Sequence, residues 1–197
     1  MKATALGLLL SVAPTWAANI PVEISGVEIG MTKERLLAVR PAITKKGYWD
    51  GSAIDLTRSD LNLFEDFHST NSIFSSATYG VENNRLVSFA LTGYPGKGQE
   101  SEVRMAAISQ AKALWGSSFT PRVLPDGARN GKPLLALQWD KGDHDVIVML
   151  PINRLPNDHR VTPVCFIVRI KSPKARPLKE FKMSDSEKKE LFKVNGL

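Results

Sequence analysis

The chain has 197 residues, 43% of them hydrophobic, and carries 26 lysines and arginines against 20 acids, for a formal net charge of +6. That is enough chain for one substantial core, or for two small packed units, without disulfides. A single cysteine excludes an internal disulfide framework, and acids interleaved with the bases argue against a nucleic-acid partner.

The sequence starts Met1-Lys2, runs apolar from Ala3 to Ala13, and continues Pro14-Thr15-Trp16-Ala17. A charged start, a short apolar stretch and small residues at 15 and 17 predict a secretory signal peptide over residues 1–17, cleaved after Ala17. The apolar run falls short of the roughly 20 residues that a spanning helix needs. No cysteine follows it, which closes the lipoprotein route, and no later stretch reads as transmembrane. The expected mature protein, residues 18–197, is therefore periplasmic or secreted. Its lone thiol, Cys165, is expected to be buried among Val164, Phe166, Ile167 and Val168.

The stretch from Ile24 to Arg40 predicts the first helix. Gly26 and Gly30 bracket a short run that sets Val27 and Ile29 on one side. Thr32 is a fitting N-cap, Glu34 suits the helix dipole, and Met31 with Leu36 occupies the positions of a hydrophobic staple. Leu36, Leu37, Val39 and Ala38 form the expected buried stripe, and Pro41 stops the helix. Ala42 to Ser52 reads as a turn-rich loop with two adjacent aromatics, Tyr48 and Trp49. Between Ala53 and Phe67 neither period dominates; a strand near Ala53–Thr57 followed by irregular or briefly helical chain is the expectation.

From Ile73 the pattern clears. Ala77, Tyr79 and Val81 alternate, Asn83-Asn84 tolerates the positive φ of a tight turn, and Leu86, Val87, Phe89 and Leu91 follow: a β-hairpin. Ser101 is the expected cap of the next helix, whose apolar side includes Val103, Ala107, Ile108, Ala111, Leu114 and Trp115, with Gly116 as its stop. Ser117–Lys132, with Pro121, Pro125, Gly127 and Gly131, reads as loop. Leu135, Leu137 and Trp139 then face one way along a strand, and Val146, Val148 and Leu150 along its partner, across an Asp140-Lys141-Gly142-Asp143 turn. A loop from Pro151 to Pro163 leads to a third strand at Val164–Lys171, and Ser184-Asp185-Ser186-Glu187 is a capping box that opens a short terminal helix. The order predicts an α+β fold of two helix-plus-antiparallel-strand units, about 22–93 and 94–175. They form a layered sheet with helices packed on one side.

Candidate chemistry is sparse. His144 sits in Asp140-Lys141-Gly142-Asp143-His144-Asp145, which has the donor types of a metal site but not the spacing of a calcium loop. It reads as a polar hairpin tip, and His159, in Pro156-Asn157-Asp158-His159-Arg160, as a solvated loop; His68 adds no pattern. Gly116-Ser117-Ser118 follows a helix where a nucleophile elbow would follow a strand. Gly93 to Gly98 lacks the spacing of a phosphate-binding loop. No catalytic residue, metal or cofactor is expected. The alternative is a metal- or small-ligand-binding protein, or a hydrolase, using the His144 and His159 loops. Tyr48 and Trp49, two aromatics in a polar loop, are the candidate partner-binding residues.

Gly-Val-Glu-Ile-Gly-Met-Thr-Lys-Glu-Arg-Leu at 26–36 resembles the opening of small bacterial envelope proteins of the SmpA/OmlA-like kind and the wider β-lactamase-inhibitor-protein-like fold. A strand pair with an Asn-rich turn (79–89), a helix ending Leu-Trp-Gly (114–116) with Pro121 beyond it, and a strand carrying Trp139 are similar to related periplasmic domains. The resemblance implies a fold used mainly for protein binding, with no family active site to carry over. The lipid-attachment cysteine of the assembly-factor members is missing. The expected role is binding another envelope or secreted protein, as an inhibitor, immunity or assembly accessory factor; contact with anionic envelope surfaces is the weaker alternative.

Overall fold

A computed structural model describes residues 25–45, 61–66, 73–96, 98–125, 133–152, 163–171 and 178–197. The signal-peptide stretch 1–17, the strand expected at 53–57, and Tyr48, Trp49, His68 and His159 lie outside these described residues. The elements in chain order are α1 (Lys33–Val39), β1 (Thr44–Lys45), β2 (Leu61–Asp66), β3 (Ser76–Glu82) and β4 (Arg85–Gly93). There follow α2 (Glu100–Trp115), β5 (Thr120–Pro125), β6 (Pro133–Asp140), β7 (His144–Leu150), β8 (Val164–Ile170) and α3 (Asp185–Val194).

Helix followed by four strands occurs twice, and the two sets share one eight-stranded sheet in the order β1-β2-β3-β4-β8-β7-β6-β5. Every neighbouring pair is antiparallel, and the last strand of each set, β4 and β8, meet at the centre from Ser88↔Arg169 to Gly93↔Val164. The expected α+β class is observed. The main core joins Leu36 of α1 and Val103, Ala107 and Ala111 of α2 to the inward residues of both halves, including Tyr79, Phe89, Leu137, Val148 and Phe166. Phe192 and Leu197, in and just beyond α3, pack against the same core. A second cluster, with Ala90, Leu134, Ala136, Ile147, Met149, Cys165 and Ile167, occupies the opposite face of the sheet.

Local chemistry explains most boundaries. Thr32 caps α1 by accepting a bond from the Arg35 N–H, and the stapled pair Met31 and Leu36 is buried. The buried stripe is narrower than expected: Leu37 and Val39 are half-buried and Ala38 is exposed, because a helix of under two turns presents few positions to the sheet. The chain before α1 is tied to β4 by Gly30 N–H to Leu86 O at 2.8 Å and Leu86 N–H to Met31 O at 2.9 Å. Gly30 has φ +88° there, a conformation that glycine adopts at little cost. Asn83 and Asn84, with φ of 50° and 61°, make the tight turn between β3 and β4. A register shift beside Gly80 leaves Val87 as an extra residue in β4, so Leu86 and Phe89, three apart, both face the core.

Several expectations require correction. Leu61–Asp66, expected to be irregular or helical, is β2 and pairs with β3 along its whole length. Thr44–Lys45, placed in a loop, forms a short strand against it. Ser117–Lys132, read as loop, contains β5. Its prolines are compatible with a strand because they sit at an edge: the Val123 carbonyl accepts the Phe181 N–H at 2.8 Å, so the same-phase residues Pro121 and Pro125 turn their missing N–H groups outward. Finally, α2 begins at Glu100, with Gln99 at the cap position and no side-chain cap bond; Ser101 lies inside the first turn and accepts from Arg104. The stop at Gly116 holds, with φ +87°. There the Trp139 indole N–H donates to Gly116 O and the Lys141 ammonium to Trp115 O, both at 2.8 Å, so the β6–β7 hairpin satisfies the helix's terminal carbonyls. The capping box of α3 is complete, with Ser184 and Glu187 each bonding the other's backbone N–H.

Gly93, at the end of β4, admits no side chain: a Cβ would stand 1.8 Å from the Ile73 carbonyl oxygen. Gly93→Ala is expected to lower stability by about 3 kcal/mol or more, since backbone must move to relieve the clash. Urea denaturation followed by tryptophan fluorescence measures this.

Candidate functional site

The second face of the sheet carries the main described concentration of charged groups. Strand alternation sets Gln138, Asp140, Asp145, Arg169 and Ser88 in phase with Ala136, Ile147, Ile167 and Ala90, away from the face that holds α1 and α2. Asp140↔Asp145, Asp145↔Arg169, Arg169↔Ser88 and Ser88↔Gly80 are direct cross-strand neighbours. One register level of the sheet is therefore polar from β6 through β7, β8 and β4, ending at the bare backbone of Gly80 on β3.

Hydrogen bonds extend this row sideways. The Arg122 Nε donates to Gln138 Oε1 at 3.0 Å, and Gln138 Nε2 donates to Asp145 Oδ1 at 3.0 Å. Asp145 also faces the Arg169 guanidinium at 3.8 Å, both side chains being nearly buried at 9% and 6% exposure. Burial pulls the Arg169 guanidinium below its ordinary value, and the Asp145 carboxylate opposes this. At the solvent end, the Lys171 ammonium donates to Asp140 at 2.5 Å and lies 3.9 Å from Asp145. The bond to Lys171, then the Gly142 N–H, holds the Asp140 carboxyl below its usual range, while Asp140 in turn raises Lys171. At the β5 end, Arg122 also reaches Glu180, whose other oxygen accepts from Lys188 at 3.2 Å.

This arrangement can hold strands in register and fix the C-terminal chain to the sheet edge. It is a matched set of charges, in which Lys171 supplies the cation that Asp140, Asp143 and Asp145 face. Among the described residues, no group of three or more histidine, cysteine, aspartate or glutamate side chains converges as metal ligands would.

The residues singled out in the sequence fall elsewhere. His144 begins β7 on the helix-bearing side, with its Nδ1 2.6 Å from Asp143 Oδ1. That bond is the first cause of the low Asp143 value. Tyr48, Trp49 and His159 are outside the described residues. Cys165 is buried as expected; desolvation pushes its thiol up to about 12, with Thr92 Oγ1 at 3.4 Å, so it is neutral and enclosed at physiological pH. The polar row has a faint signal in the sequence. Gln138 and Arg169 are single polar residues inside otherwise continuous apolar strands, Leu-Ala-Leu-Gln-Trp and Ile-Val-Arg-Ile. Such a residue, when buried, needs a partner across the sheet.

Comparison of the chain with protein-family models, with curated proteins and with solved structures gives no match in any of the three.

Replacing Asp145 by asparagine removes the carboxylate that faces Arg169 in the sheet. A loss of about 3 kcal/mol is expected, the cost of removing one member of a buried ion pair. Asp140→Asn, on a side chain that is 71% exposed, is expected to leave the unfolding midpoint nearly unchanged. Chemical denaturation of the two variants beside the parent makes the comparison.

Proposed function

We propose that this chain is an exported envelope protein that acts by binding another protein and not by catalysis. The observation that carries this reading is the architecture: two helix-plus-four-strand sets sharing one antiparallel sheet through their last strands. The Gly26–Leu36 opening, with its resemblance to SmpA/OmlA-like and β-lactamase-inhibitor-protein-like proteins, supports the same reading. The Met1–Ala17 stretch supports export to the periplasm or beyond. The polar row supports a structural use of the charged groups, because each is matched within the chain. Partner contact is proposed for Tyr48 and Trp49, adjacent in the sequence, because large aromatic side chains supply the contact area that interface hot spots require.

Two measurements address this reading. Protein recovered from the envelope fraction is expected to begin at Ala18 by N-terminal sequencing; a product that retains Met1 would overturn the export reading. Immobilised parent protein is expected to retain a specific partner from an envelope extract. Tyr48→Ala and Trp49→Ala baits should each weaken capture about tenfold or more, the effect of losing one hot-spot residue. Parent and variant baits that behave identically would refute the assigned contact, and the absence of any retained partner would refute the binding role.

A further inference from the structure

We infer that residues 178–197 form a strap that closes over the β5 edge and opens as its own unit, with Glu180 as its latch. The chain here passes from one face of the sheet to the other. Leu178 packs on the second-face cluster, Phe181 N–H bonds to the Val123 carbonyl at the β5 edge, and Phe192 and Leu197 pack on the main core.

Among the described residues, the strap's polar attachments to the sheet are of kinds that break easily. Phe181 to Val123 is the described backbone bond between strap and strand. Helix α3 contributes no fully buried residue; Leu191 and Phe192 are half-buried, and Val194 is 55% exposed. Its internal order comes from its own capping box, so the helix does not depend on the sheet for its start. One carboxylate links the three parts: Glu180 Oε1 accepts from Arg122 on β5 at 2.5 Å and Oε2 from Lys188 on α3 at 3.2 Å. These ion pairs lie in solvent reach, with Glu180 43% exposed, where salt screens them. The contrast with β8, buried at every residue from Val164 to Arg169, sets the strap at the low end of local stability and the sheet at the high end.

The strap has a consequence for the sheet. Closed, it covers the backbone at the middle of an edge strand that is otherwise blunted by Pro121 and Pro125. Open, it uncovers the Val123 carbonyl and the apolar contacts of Leu178, Phe192 and Leu197, while the eight-stranded ladder stays intact.

Hydrogen–deuterium exchange of the full chain tests this. In the parent, amides of residues 178–197 are expected to exchange well before those of β7 and β8. Glu180→Gln, which keeps the side-chain shape and removes the charge, should speed exchange at Phe181 and through α3 by about three- to tenfold, as expected for losing exposed ion pairs of this kind. Molar salt should do the same to the parent and little to the variant. Exchange in β7 and β8 should not change in any arm. Strap amides as protected as β8, or strap exchange indifferent to both Glu180→Gln and salt, would overturn the inference. So would a Glu180→Gln effect that spreads equally into β7 and β8, since the strap would then not be a separate unit.

Discussion

Strands β4 and β8 meet along six residue pairs, from Ser88↔Arg169 to Gly93↔Val164, and on that junction each half depends for its burial. A helix with four strands leaves the edge of its last strand unpaired and one flank of its apolar face open. Pairing the last strand of one set with the last strand of the other removes two edges at once. It also makes Tyr79, Phe89, Phe166, Val148 and Leu137 parts of one core spanning both halves. Phe74 and Phe166, with ring centroids 4.7 Å apart, and Trp115 and Phe166 at 5.4 Å, show the seam filled from both sides. Phe74 precedes β3 and Trp115 ends α2, so residues from the two halves converge on one ring of β8.

The placement of β8 has a cost that the rest of the molecule offsets. A central strand buried on both faces is apolar along most of its length, as Val-Cys-Phe-Ile-Val is, with every residue buried. Such a strand has no alternation to distinguish its two faces. The outer strands manage a different hazard. At one end, β5 carries prolines on its outward positions and has the C-terminal chain laid beside it; at the other, β1 is only two residues long. Short edges, prolines and a covering segment are the means by which sheets avoid pairing with other chains.

What was legible in the sequence was whatever a few neighbouring residues decide. Thr32 as cap, Asn83-Asn84 as a turn with positive φ, Gly116 as a stop and Ser184 to Glu187 as a capping box are local arrangements, and all four stand as expected. So does the α+β order, because helix and hairpin periods are local too. What failed was decided by distant chain. β2 shows no clear alternation because its place is set by its ladder with β3. β5 looked like loop because two prolines in six residues forbid a central strand, and only the sheet order reveals that it is an edge. The start of α2 differs from expectation because Gln99 caps nothing with its side chain, whereas Ser101 has the right chemistry two residues too late. Gln138, Asp145, Arg169 and Ser88 come from four strands, and no window of sequence holds them together.

That polar row answers the problem raised by the apolar strands beside it. Sliding β8 by two residues against β4 or β7 keeps every side chain on its own face and exchanges one apolar contact for another, so hydrophobicity alone discriminates poorly between the registers. The charges do discriminate. A two-residue slip between β7 and β8 would carry Arg169 from opposite Asp145 to opposite Ile147 on one side or to opposite Asp143, a side chain 83% exposed in the turn, on the other. In the first case Asp145 exchanges the buried guanidinium for Lys171 of the strand end, and in the second it faces Ile167 and no cation on β8. Buried ion pairs contribute little net stability in their correct arrangement and cost several kcal/mol when one member is left alone. That asymmetry suits a role in specification: the row does little to make the sheet more stable and much to make its alternatives worse. The same reasoning extends to β5, where Arg122 reads the position of Gln138 and, through Glu180, sets where the C-terminal chain lies. A single line of polar side chains thus relates the register of the central strands to the seating of the strap at the edge.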